Sequence, residues 1–177
     1  GWRQRANELP DWFMGHRTPA GWAQWPEVVW NRPDSARFVG DLPHTWVGSD
    51  FVRSVLDMLA YERAADSSLV LAAGVPDAWA RDSSGVAVQG LSTPYGPLSY
   101  TLRTRGDVLE ARVEAGLRVP PGGIVISPPV PQTFAALDVR VNGKPASEAT
   151  PGGIVVRRLP AEVRWSSRAA AGKPSRR

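Results

Sequence analysis

Two hydrophobic periods divide the chain. From Ser49 to about Ala65, Phe51, Val52, Val55, Leu56, Leu59 and Tyr61 recur at three- and four-residue spacing. That period predicts a helix with one broad face buried. Arg53, Asp57, Glu62 and Arg63 fall elsewhere on it. Ser49 is placed to cap this helix, with Asp50 in the first turn at the positive end of its dipole. An earlier stretch, Trp2–Met14, also reads as helix, with Pro10 marking a break or a start.

After Asp66 the period falls to two. Strands are predicted at Ser68–Ala73, Gly85–Leu91, Gly96–Thr104, Val108–Ala115, Gly122–Ser127, Ala135–Val141 and Gly153–Arg158, with a short last one at Glu162–Trp165. Leu98, Tyr100 and Leu102 alternate with Ser99 and Thr101, as half-buried antiparallel strands require. Arg105-Gly106 and Asn142-Gly143 are hairpin signals, the second strong because Asn-Gly suits a type I′ turn. Seven or eight short strands separated by Pro and Gly turns predict a β-sandwich. Gly122-Gly-Ile-Val and Gly152-Gly-Ile-Val look alike, but four residues twice do not make a repeat.

Between the two helical stretches, residues 18–48 read as a loop interrupted by Pro19, Pro26, Pro33 and Pro43. A loop this long inside a domain is either functional or disordered. Trp22, Trp25, Trp30 and Trp46 crowd into it and its exit, which argues against disorder. The organisation expected is therefore a helical portion over 1–66, a sandwich over 67–165 and a disordered basic tail over 166–177.

Composition narrows the function. The chain has 177 residues, 42% of them hydrophobic, enough for a real core. It has no cysteine, so it has no disulfide, thiolate ligand or thiol nucleophile. The net charge is +4. The tail alone supplies that surplus, through Arg168, Lys173, Arg176 and Arg177 with no acid. A neutral body with a short basic tail is no footprint for nucleic acid, so none is expected as a partner. Nor does any apolar run reach the length of a membrane span. Nineteen arginines beside two lysines point to the coding bias of a GC-rich bacterial genome. The chain begins with Gly and shows no signal-peptide pattern, which implies a piece of something longer. The compartment stays open, with export favoured over the cytoplasm.

Candidate chemistry gathers in the tryptophan-rich loop. Indoles stack on the apolar faces of sugar rings, while hydroxyls call for carboxylates and imidazoles. Glu27 lies among Trp22, Trp25, Trp30 and Trp46, and His44 stands just before the second helix. Shielding by indoles would suit Glu27 to general acid or base work near neutral pH. The plainer reading pairs it with Arg32 or Arg37 or has it cap a turn. His44 could bind a hydroxyl or simply satisfy neighbouring backbone. His16 and His44 lack metal-ligand spacing, so neither metal nor other cofactor is expected. Ser49 lacks the Gly-x-Ser-x-Gly frame of a nucleophile elbow. The two Gly-Gly pairs precede strands rather than helices, which makes them turns and not phosphate loops.

Gln24-Trp-Pro-Glu27, a loop, and His44-Thr-Trp-Val-Gly48 leading into a helix resemble the end of the catalytic barrel in six-hairpin, (α/α)6 glycosidases, the α-L-rhamnosidase type most of all. Gly96-Pro-Leu-Ser-Tyr-Thr-Leu, Pro120-Pro-Gly-Gly-Ile-Val and Val141-Asn-Gly-Lys are similar to the accessory sandwich that follows that barrel. The resemblance covers roughly residues 1–165 as an order of elements and short motifs. It implies an α+β chain: terminal helices of an incomplete (α/α)6 barrel, then an antiparallel β-sandwich. It also implies Glu27 as general base, with His44 and the tryptophans on the substrate, an oligosaccharide or glycoside. This sequence departs from the pattern in its proline before Glu27 and in having no Trp directly after it. A barrel needs about twelve helices, and an inverting mechanism needs a second carboxylate about 6.5–9.5 Å away. Both would come from an upstream part of the barrel, so the chain alone is not expected to hydrolyse a glycoside. The alternative is a non-catalytic carbohydrate-binding module, discoidin-associated or of the adhesion type.

Overall fold

The computed structural model describes residues 3–19, 21–29, 39–129 and 137–167. It is α+β: two helices lead into two packed, mainly antiparallel sheets. Helix α1 (Arg3–Gly15) runs through Pro10 rather than breaking there. The carbonyl that loses its partner belongs to exposed Ala6, where water can replace the missing N–H. None of its residues is buried.

Helix α2 (Thr45–Leu59) starts four residues earlier than Ser49 and stops six before Ala65. His44, not Ser49, is its N-cap: an imidazole Nδ1 can accept from Val47 N–H (3.4 Å) as a hydroxyl would. Ser49 instead donates to the Trp46 carbonyl (2.7 Å), and no acid occupies the first turn. At the other end Ala60 turns extended (φ −158°, ψ 134°) because strand β1 (Ala60–Arg63) pairs antiparallel with β2 (Ser68–Leu71). Tyr61, assigned by period to the helix face, packs instead with Val70, Val125 and Val155. The broad buried face is not there either. Met58 is buried, but Val52 and Leu56 are 56% and 39% exposed.

All eight expected strands form. β3 (Val86–Thr93), β4 (Gly96–Arg105), β5 (Val108–Val113), β7 (Leu137–Val141) and β11 (Ala161–Ser167), with a short β8 (Lys144–Pro145), make a six-stranded sheet in the order β3-β4-β5-β11-β7-β8. β6 (Ile124–Ile126), β10 (Gly153–Val156) and a short β9 (Ala149–Thr150) complete a five-stranded sheet, β1-β2-β6-β10-β9. One pair, β2 with β6, is parallel, because the chain visits the other sheet between them. Helix α3 (Asp77–Arg81) lies on that path and had no signal long enough to be read. β11 takes in Ser166 and Ser167, so the basic segment proper, 168–177, and the expected disorder there lie outside the described residues.

Both hairpin signals hold. Arg105 pairs with Val108 across Gly106-Asp107, and Val141 with Lys144 across Asn142-Gly143, whose φ of 49° and 78° are those of a type I′ turn. The two Gly-Gly-Ile-Val segments lead into neighbouring antiparallel strands: Val155 pairs with Val125, flanked by Ile154 with Ile126 and Val156 with Ile124. The core lies between the sheets. Leu69, Leu71, Ile124, Ile126, Ile154 and Val156 of one face Leu98, Tyr100, Leu102, Ala111, Val163 and Trp165 of the other. The Tyr100 hydroxyl crosses this core to donate to the Leu59 carbonyl (2.8 Å), and burial pushes its phenol above the ordinary range.

Candidate functional site

Trp25 builds the frame of the tryptophan-rich loop. Its ring lies 4.7 Å from that of Phe51 on α2 and 6.2 Å from that of Phe13 on α1. Its indole N–H donates to the Phe13 carbonyl (2.6 Å), and it is 9% exposed. Trp25 therefore acts as a wedge joining the two helices. Beyond it, residues 25–28 run against 39–44. His44 N–H donates to the Trp25 carbonyl (2.9 Å), Glu27 N–H to that of Asp41 (3.0 Å) and Val28 N–H to that of Val39 (3.0 Å).

This pairing brings Glu27 beside Gly40 and Asp41 and places His44 at the root of the same loop. Glu27 Oε2 accepts the Asp41 N–H at 3.3 Å. Gly40 turns the chain there with φ +65°. Glu27 is exposed, and among the described residues no indole covers it. His44 has its Nδ1 engaged as the cap of α2, which leaves Nε2 as the ring atom for any ligand. Trp22, in a turn closed by its N–H on the Pro19 carbonyl (3.0 Å), is 59% exposed, and Trp46, in the first turn of α2, is 73% exposed. Trp30, with Asn31, Arg32, Asp34 and Arg37, lies outside the described residues. Sequence reasoning missed Gly40; a glycine next to an acid in a proline-rich loop was the available signal, but its contact spans thirteen positions.

Two other concave regions have different characters. On the outer face of the six-stranded sheet a hollow of about 510 Å³ is lined by paired charges: Arg112 meets Glu110 (2.9 Å) and Glu162 (2.9 Å), and Glu110 also meets Arg164 (3.6 Å) beyond the hollow. Such a face is a solvated charge network. A groove of about 1390 Å³ runs between α1, α2 and the end of the five-stranded sheet. Arg3 closes it at one end, donating to the carbonyls of Ala72 (3.1 Å), Val75 (3.2 Å), Ser127 (2.9 Å) and Pro128 (3.3 Å). Desolvation among these carbonyls lowers its guanidinium below the ordinary value. Among the described residues, no three His, Asp or Glu side chains group to hold a metal ion.

No family model, curated protein or solved structure matches this chain. Among the described residues, no helix is long and apolar enough to cross a membrane.

Proposed function

We propose that this chain forms one wall of a carbohydrate cleft in a glycoside-hydrolysing protein, whose remaining catalytic elements lie in an upstream helical barrel. The observation that carries this reading is the arrangement at the loop root. An exposed carboxylate, Glu27, is held on a backbone ladder with the exposed indoles of Trp22 and Trp46 on the same loop and helix start. The uncovered apolar side chains of α1 and α2, Leu9, Val52 and Leu56 among them, fit helices that lack neighbouring hairpins. In this role Glu27 is the candidate general base, with Trp22, Trp46 and His44 on the sugar and Trp25 holding the wall together. Trp30 belongs to the same set by its place in the loop.

A second reading, a non-catalytic carbohydrate-binding module, is favoured by the exposure of Glu27, which suits a hydroxyl acceptor as well as a base. Two measurements separate the readings. Calorimetric titration of the chain with a panel of neutral oligosaccharides should show binding that Trp46→Ala weakens at least tenfold; no binding by any of them sinks both. In the complete parent enzyme, Glu27→Gln should cut hydrolysis by several orders of magnitude while binding is kept. Unchanged turnover would leave only the binding module.

A further inference from the structure

The Glu27 carboxylate is held in place by backbone, and the shape of that backbone depends on one residue. We propose that Gly40 is a positioning residue for Glu27, its missing side chain being the space in which the carboxylate lies. A Cβ built on Gly40 would stand 2.3 Å from Glu27 Oε2, 2.8 Å from Glu27 Cβ and 3.2 Å from Glu27 Cδ. The oxygen could swing aside, but the Cβ is fixed by the backbone, which the Glu27 N–H to Asp41 carbonyl bond (3.0 Å) holds, so the two segments would have to move apart and carry the carboxylate off the Asp41 N–H. The φ of +65° at Gly40 turns the following peptide so that the Asp41 N–H reaches Oε2. With one oxygen held there, the range of directions open to the other oxygen is narrowed. A site that accepts a proton or a sugar hydroxyl needs that direction defined before the ligand arrives.

This inference rests on the reading of Glu27 as the carboxylate of the site, and it can be tested without a ligand. In the ¹⁵N-labelled full chain the Asp41 amide proton should resonate downfield as a carboxylate-bound donor. It should move upfield in Glu27→Ala and equally in Gly40→Ala. Gly40→Asn supplies the control, since Asn tolerates positive φ but carries a Cβ. If space is what matters, Gly40→Asn displaces the carboxylate just as Gly40→Ala does; an Asp41 amide left at its wild-type shift in Gly40→Asn overturns the proposal. The far-ultraviolet spectrum should stay that of wild type throughout, because the loop lies outside the sandwich core. With oligosaccharide, Gly40→Ala should weaken binding in the wild-type background and add nothing in Glu27→Ala. A present amide contact with no binding by any sugar would leave the positioning role standing and remove the carbohydrate reading.

Discussion

Gly153 and Gly143 both carry positive φ, yet they differ in what surrounds them. At Gly143, in the Asn-Gly turn, a Cβ would meet nothing within 4 Å, so alanine there faces only the strain of φ +78°. At Gly153 (φ +149°) a Cβ would stand 2.2 Å from the Ile126 carbonyl oxygen, a backbone atom of the neighbouring strand that cannot move alone. Gly143→Ala should therefore cost about 1 kcal/mol and Gly153→Ala about 3 kcal/mol or more in urea unfolding. Equal costs would refute the contact argument. The tryptophans divide in the same way. Trp25→Ala removes the wedge between α1 and α2 and should destabilise the helical portion by about 3 kcal/mol. Trp22→Ala and Trp46→Ala should leave the urea midpoint where it is. The sequence shows four tryptophans around one acid; only the contacts of Trp25 with Phe13 and Phe51 tell its buried ring from the exposed Trp22 and Trp46.

At the scale of elements, the end of α2 is decided by pairing rather than by period. Leu59 and Tyr61 fit a helical stripe, but the hydrogen bonds of Ala60–Arg63 go to β2, and a hairpin corner holds them there. Arg63 reaches both oxygens of Asp66 (3.0 and 2.7 Å), and Asp66 also accepts from Ser68 N–H (3.2 Å) and the buried Ser68 hydroxyl (2.7 Å). The hydrogen bonds from Arg63 and then Ser68 hold the Asp66 carboxyl well below the usual carboxylate range. A carboxyl lowered in the folded state contributes stability above its unfolded value. That contribution begins to fade below about pH 4 and is lost as pH falls through the lowered folded value. The difference in urea midpoint between wild type and Asp66→Asn should thus be full at neutral pH and shrink on acidification. A constant difference would contradict this account. The Asn-Gly hairpin and the eight strands were legible because turn chemistry and period-two alternation are local signals. The His44 cap and β1 were not, since each depends on a partner the local pattern does not name.

The whole molecule is uneven. The sandwich encloses nearly all the buried apolar side chains, whereas every exposed large apolar residue except Trp79 lies before residue 57 among the described residues. A fragment of residues 60–167 should therefore unfold cooperatively by itself. One starting at 67 should be less stable, because it loses β1 and its antiparallel pairing with β2. Equal midpoints for the two fragments would show that β1 is an ornament on the sheet.

By itself the sequence determined what depends on neighbours along the chain: the passage from helix to strands, though not its place at Ala60, the eight strands after Asp66, the turn residues and the clustering of indoles, an acid and a histidine before α2. Tertiary structure alone decided which of those groups meet. It turned Trp25 inward, left Trp22 and Trp46 outside, made His44 a cap, and laid Glu27 against Gly40 and Asp41. The physical reason is that alternation and turn preference act over a few residues. The ladder from 25–28 to 39–44 and the parallel pairing of β2 with β6 are instead chosen by packing and backbone hydrogen bonding between distant segments.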